Sequence, residues 1–259
     1  DKRYNAFDSQ NGNFLQIIQS NASRLSLLID QTLDIAKIEN NSLHLNKLRC
    51  NLNKEIQTIV DEYNTKLLKS KYKIYDDNDS QIRILFSRLD TIHPIFVNMD
   101  KLRIYQVITN LINNSIKSIE DKNDHIVNDD DNNKKKDGVI TISIKLLKSP
   151  LNIYKDDNSK SYNLTNNIYN DVTNSHGKYE KQETKQFAII NIKDSGKGIS
   201  KEIMSKIFTK FGSFSDKGVG FGLFISKHII EAHGGKIWAQ NNFNNEKNGA
   251  TFSFSLPVI

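Results

Sequence analysis

A single cysteine, Cys50, among 259 residues excludes a disulfide framework and a zinc site built on cysteines. No apolar run approaches the roughly 18–20 residues that a membrane span needs. The N-terminus lacks the layout of a signal peptide, so the cytoplasm is the expected compartment. There is no internal repeat, and no Gly-Lys-Ser or Gly-Lys-Thr that would make a P-loop. Charge of one sign is never concentrated. The net charge is +6 and the pI about 9.1, yet the densest basic run, Lys134-Lys135-Lys136, lies just after Asp129-Asp130-Asp131. A polyanion needs a stripe of one sign to release its counterions, so nucleic acid is not an expected partner. A mean hydropathy of −0.55 suggests that much of the chain is polar loop. A start at Asp1-Lys2-Arg3 reads as a piece of something longer.

What is present begins with a helical stripe over residues 14–40. Leu15, Ile18, Ala22, Leu25, Ile29 and Ala36 keep heptad spacing, and Phe14, Leu28, Leu33 and Ile35 widen the stripe beyond a two-stranded seam. That breadth suits a four-helix bundle. Residues 1–12 read as a polar tail too short to cover it, so a second copy of the chain or another helix must. A second helix is predicted over 52–68 through Ile56, Ile59, Val60 and Leu67, and strands over 82–86 and 95–97. A third helix, over 101–119, carries Leu102, Tyr105, Ile108, Leu111, Ile112, Ile116 and Ile119, with Asp100 as its N-cap. Residues 121–137 read as loop. Strands are expected at 139–147 and 187–192, separated by a polar, mobile hairpin insertion at about 148–186. Helices at 201–209 and 223–232 and strands at 236–240 and 251–256 complete the chain.

Four segments carry chemistry. Asp194-Ser-Gly196-Lys-Gly198-Ile199 follows a strand, placing a carboxylate at the sheet edge beside bare backbone. Such a carboxylate can accept an exocyclic N–H of adenine while the glycines let a flat ring approach; read in isolation, an Asx-turn leaving the strand is the simpler account. Gly218-Val-Gly220-Phe-Gly222-Leu223 opens a helix whose N-terminal amides suit phosphate oxygens, or it is a glycine hinge. Gly249-Ala-Thr251-Phe could be no more than a turn into the last strand. Asn110, Asn114 and Lys117 share one helix face, where an amide oxygen can ligate Mg²⁺ and a lysine can neutralise phosphate, or they form a solvated polar face.

Together these segments resemble the sensor histidine kinases. Asn110-Leu-Ile-Asn-Asn114-Ser-Ile-Lys117 is similar to their N box, and Asp194-Ser-Gly-Lys-Gly198-Ile to their first glycine box. Ile207-Phe208-Thr-Lys-Phe211 resembles their F box, Gly218-Val-Gly-Phe-Gly222-Leu their second glycine box, and Gly249-Ala250-Thr251-Phe252 their last motif. The resemblance implies an α+β fold, a two-layer α/β sandwich of the Bergerat type with a mixed sheet and helices on one face, preceded by the long amphipathic helix. Residues 46–259 would be the catalytic domain and 13–45 the second helix of a dimerisation and phosphoacceptor hairpin. It further implies that ATP and Mg²⁺ bind, with Asn114 holding the metal and Asn110 and Lys117 contacting phosphates. Asp194 would read adenine, with Gly196, Gly198 and Ile199 lining the base pocket and Thr251 supporting it. Gly218, Gly220, Gly222 and Leu223 would cradle phosphate, and Phe208 and Phe211 would anchor a lid at about 212–217. The implied partners are a second copy through the 14–40 helix and a response-regulator receiver domain.

Two positions refine the expectation. Hydrolytic branches of this superfamily place a Glu, as base for water, where Asn110 stands; an amide takes no proton at neutral pH, which favours transfer over hydrolysis. None of the six histidines, at 44, 93, 125, 176, 228 and 233, sits in a His-Glu-x-x-Thr-Pro segment, so the acceptor histidine is expected outside this chain. His233, before Gly234-Gly235, reads as a cation at a helix C-terminus. The competing readings are a degenerate interaction module and an ATPase of the same superfamily.

Overall fold

The computed structural model describes residues 2–71, 81–87, 93–129, 137–148, 153–155, 162–164, 185–212, 220–242 and 249–259. The chain divides into two compact units, residues 1–44 and 45–259. The first is the helix α1 (Lys2–Glu39), which starts well before the predicted Phe14. Extending a nucleated helix through polar residues costs far less than starting one, so the expected tail is helical. Within this unit Leu15, Ile18, Leu25, Ile29 and Leu33 are all more than half exposed.

The second unit begins with β1 (Leu48–Asn51), α2 (Leu52–Lys71), β2 (Ile82–Ser87), β3 (Phe96–Met99), α3 (Lys101–Asp129) and β4 (Gly138–Lys148). It continues through β5 (Ile153–Lys155), β6 (Tyr162–Leu164), β7 (Gln186–Asp194), α4 (Lys201–Met204), α5 (Gly222–Ala232), β8 (Ile237–Asn241) and β9 (Ala250–Pro257). The main sheet has the order β2-β4-β7-β9-β8, parallel between β2 and β4 and antiparallel elsewhere. β1 and β3 form a separate antiparallel pair, as do β5 and β6 within the insertion. This is the mixed α/β layer arrangement that the resemblance implies.

Helices α2, α3 and α5 form the second layer. Ile104, Ile108, Leu111, Ile112, Ser115 and Ile119 of α3 are buried at helical spacing, against the alternating Ile140, Ile142 and Ile144 of β4 and Ile190 and Ile192 of β7. Leu102, predicted in this apolar set, is 80% exposed, and Ile104 takes the buried place. The helix also runs on to Asp129, through residues read as loop. Ser118, Asp121 and Lys122 all bond to the 195–197 segment, which anchors these added turns despite their polarity. The predicted helix over 201–209 is shorter, ending at Met204. Beyond it the amides of Lys206, Thr209 and Gly212 each bond three residues back, and the Thr209 hydroxyl donates to the Lys206 carbonyl. A hydroxyl that competes for backbone carbonyls favours such turns over helix.

The start of α3 is fixed by a buried histidine. Asp100 caps α3, with Oδ1 accepting from the Arg103 amide at 3.2 Å and Oδ2 from the Asn46 amide at 3.0 Å. Its own amide donates to His233 Nε2 at 2.9 Å, while His233 Nδ1 faces the Ile229 carbonyl at 2.7 Å. His233 therefore carries its proton on Nδ1 and is neutral, not the helix-terminal cation expected from sequence. Burial pushes its pKa below the ordinary 6.5, with nearby Lys47 acting the same way and the Ile229 carbonyl and Asp100 opposing.

A folded pKa below the unfolded one means that the unfolded chain binds the proton first. The contribution is complete above about pH 6.5 and is lost as pH falls below it. Thermal unfolding of the wild type is expected to lose midpoint between about pH 7 and 5 more steeply than that of His233→Gln.

Candidate functional site

The site is built around Asp194, the last residue of β7, whose side chain is 3% exposed. Its Oδ1 accepts from the amides of Gly196, at 2.9 Å, and Ala250, at 3.1 Å. Its Oδ2 accepts from the Ser115 hydroxyl of α3 at 3.3 Å, leaving acceptor capacity on that oxygen. Burial raises the pKa of the carboxyl, and the bonds from Ala250, Gly196 and Ser115 and the charge of Lys122 pull it back. A desolvated carboxylate this well supplied with donors is a directional acceptor.

Close approach explains three of the glycines. A Cβ on Gly196 would stand 2.2 Å from Ser118 Oγ of α3, and one on Gly249 would stand 2.2 Å from the Asp194 carbonyl oxygen. On Gly222, the first residue of α5, it would stand 2.2 Å from Asn110 Oδ1. Gly196 is thus fixed as much by helix packing as by any ligand. Lys122 Nζ donates to the carbonyls of Ser195 and Gly196, and Lys197 pairs with Asp121 at 2.7 Å.

The asparagines of α3 divide their work. Asn113 faces α2, where its Oδ1 accepts from Tyr63 at 3.0 Å; the Tyr63 hydroxyl stays protonated, its pKa pushed up to about 12 chiefly by burial. Asn110 donates through Nδ2 to the buried Ser226 of α5 at 3.0 Å and packs on Gly222, so it ties α3 to the N-terminus of α5. Asn114, half-buried, and Lys117, exposed, make no hydrogen bond or ion pair with the described residues. They lie one residue before and two after Ser115, which holds Asp194, so α3 carries both a support for the carboxylate and two polar side chains without a partner among the described residues.

At the start of α5, Phe221 makes no side-chain cap bond to the first-turn amides, the groups by which a helix start suits an anion. Gly220 turns the chain into the helix with φ +78°, while Leu223 is buried in the core. Phe211, at φ +60°, sets its ring 5.0 Å from that of Phe221. Half-buried Phe208 lines a cleft with Ile207, Lys227 and Ala239, to which none of Asn110, Asn114, Lys117 or Asp194 contributes. Gly218 and most of the expected lid, residues 213–217, lie outside the described residues.

Sequence reading missed Asn241 and Asn242. Asn241 Oδ1 accepts from the Ile199 amide and its Nδ2 donates to the Ile199 carbonyl, both at 2.8 Å, beside Gly198 at φ +82°. Asn242 Nδ2 donates to the Asp194 carbonyl at 3.2 Å, and Thr251 donates to Asn242 Oδ1 at 2.6 Å. In a chain rich in asparagine their positions carried no distinguishing signal. Among the described residues no cluster of His, Cys, Asp and Glu could hold a metal, and no helix is long and apolar enough to cross a membrane.

Residues 161–259 match the family model for histidine kinase-, DNA gyrase B-, and HSP90-like ATPases, a match that begins after α3. The hybrid signal transduction histidine kinase C of Dictyostelium discoideum is 28% identical over 255 residues, 95% of this chain and 16% of that protein. The sensor histidine kinase WalK of Bacillus subtilis is 23% identical over 250 residues, 94% of this chain and 30% of WalK. The chain therefore spans less than a third of either. Among solved structures, full-length ShkA in complex with AMPPNP superposes with a TM-score of 0.55 at 16% identity, over 91% of this chain and 36% of that one.

Gly249→Ala is expected to destabilise the chain by about 1–3 kcal/mol, because the added methyl meets backbone that cannot yield. Thermal unfolding reads this directly, and an unchanged midpoint would show that β9 can shift away from Asp194.

Proposed function

Because the chain carries a catalytic ATP-binding domain of the sensor histidine kinase type, we propose that it positions Mg·ATP for transfer of the γ-phosphoryl group to a histidine outside this chain. Relay to an aspartate of a response-regulator receiver domain would follow. The observation that carries this reading is the buried, donor-supplied carboxylate of Asp194, held by Ser115 on the helix that also carries Asn114 and Lys117. An AMPPNP complex is reported for ShkA, which has a similar fold. Bound ATP would supply the phosphoryl group, and Mg²⁺ would screen its charge.

The residues fit that task. Asp194 accepts the adenine amino group through Oδ2, and the uncapped first turn of α5 faces phosphate oxygens with its amides. Asn114 offers an amide oxygen to the metal, and Lys117 a cation to the phosphates. Asn110 is bound to Ser226 and its amide cannot accept a proton at neutral pH, so the side chain at that position does not act as a base for water. That arrangement favours an external nucleophile over hydrolysis. We further propose that the exposed apolar stripe of α1 is covered by a second copy of the chain, giving a dimer, and that the domain works in the cytoplasm.

Calorimetry tests the pocket. Asp194→Ala should weaken Mg·ATP binding about 10- to 150-fold, the worth of one charge-assisted bond. No binding by the parent chain would overturn the proposal. Incubation with Mg²⁺ and γ-labelled ATP should leave no stable label on the chain's own histidines, whereas addition of a protein carrying an acceptor helix should permit labelling of that helix. Asn114→Ala should abolish that transfer.

A further inference from the structure

The segment from Asp194 to Ile199 has two glycines and little side-chain mass with which to hold itself. Its middle is held by α3, through Lys122 on the carbonyls of Ser195 and Gly196 and through Ser118 on the Lys197 amide. Its two ends are held by consecutive residues, the last of β8 and the one that follows it. Asn241 brackets the amide and carbonyl of Ile199, a two-point contact that fixes both position and orientation of that peptide. Asn242 reaches the Asp194 carbonyl.

The orientation of the Asn242 amide is not a free choice. A carbonyl oxygen only accepts, so Nδ2 must face Asp194, and the Thr251 hydroxyl fills the opposite side by donating to Oδ1. The Asn242 backbone N–H also donates to the Gly249 carbonyl at 2.8 Å, extending the β8–β9 pairing by one step. Gly249 and Ala250 then meet Asp194 directly, one by its lack of a Cβ and the other by its N–H. A carboxylate's direction depends on its own backbone, and here that backbone is held by β4 on one side and by Asn242 at its carbonyl.

We infer that Asn241 and Asn242 are positioning residues that set base selectivity, by holding the Asp194–Ile199 segment at both ends so that Asp194 presents Oδ2 to the six-position of a purine. This rests on the reading of Asp194 as the adenine acceptor. Neither asparagine touches the base, so their effect is on where the carboxylate stands.

The test compares affinities of the 259-residue chain for Mg·ATP and Mg·inosine triphosphate, whose six-position carries a carbonyl instead of an amino group. The wild type should prefer ATP, and Asp194→Asn should lose most of that preference. Asn242→Ala should cut the ratio of the two affinities about ten- to a hundredfold, the cost of a carboxylate misplaced by around an ångström. Asn241→Ala should act in the same direction, and it carries the test alone if Asn242→Ala does not fold. A purely structural role would lower the unfolding midpoint and weaken both nucleotides equally, leaving the ratio untouched. An unchanged ratio in both asparagine variants, with Asp194→Asn still losing it, would overturn the inference while leaving the adenine reading intact. A wild type indifferent to the two nucleotides would instead remove that reading, and the inference with it.

Discussion

A carboxylate taken out of water must be repaid in hydrogen bonds, and much of this domain's geometry follows from doing that for Asp194. Its three donors come from three places: the Gly196 amide from the segment that follows it, the Ala250 amide from the neighbouring strand and the Ser115 hydroxyl from the helix above. The two backbone donors come with approaches closer than an ordinary side chain allows. Glycine at 249 lets β9 pass the Asp194 carbonyl, and glycine at 196 lets the segment lie on Ser118. The register of β7 against β9, with Lys193 opposite Thr251, leaves Asp194 just beyond the paired region, where Ala250 can turn its N–H to the side chain. One buried charge thus joins the sheet, the segment and α3 into a single unit.

The second constraint is the contact between α3 and α5. Asn110 is bonded to Ser226, and Gly222 has no Cβ to push the helices apart at that point. The consequence is that the first turn of α5 and the Asn114–Lys117 face of α3 keep a fixed relation. Helix α3 is itself set at its N-terminus by Asp100 and His233. The helix that carries the polar site residues is therefore held at its start, through its middle and, by Asp121 and Lys122, at the beginning of the turns that run on to Asp129.

The glycine and asparagine motifs were legible because each demands a residue type for a local reason: a close approach, a helix entry or an acid at a strand end. Periodicity gave the buried face of α3 and the alternation of β4 and β7 for the same kind of reason. What escaped depends on partners distant in the chain. Nothing near His233 marks it as an acceptor for the Asp100 amide, because that amide lies on another element. The added turns of α3 are polar, and the bonds of Asp121 and Lys122 to residues 195–197 help to hold them. The asparagines were hardest. Asn64 grips the Ile84 amide and carbonyl as Asn241 grips Ile199, so this residue serves repeatedly as a backbone bracket. In a sequence this rich in asparagine, composition conceals which copies do so.

The insertion between β4 and β7 has a consequence for the chain's entropy. Those strands pair antiparallel as far as Lys148 opposite Gln186, so residues 149–185 leave and return at adjacent points. Closing a chain segment between neighbouring ends costs entropy only logarithmically in its length, roughly 0.6 kcal/mol for each doubling. The remaining strands of the sheet and all of Asp194's donors lie outside that segment. Its length can therefore change at small entropic expense, while β6 keeps the segment against β8 at the edge of the sheet.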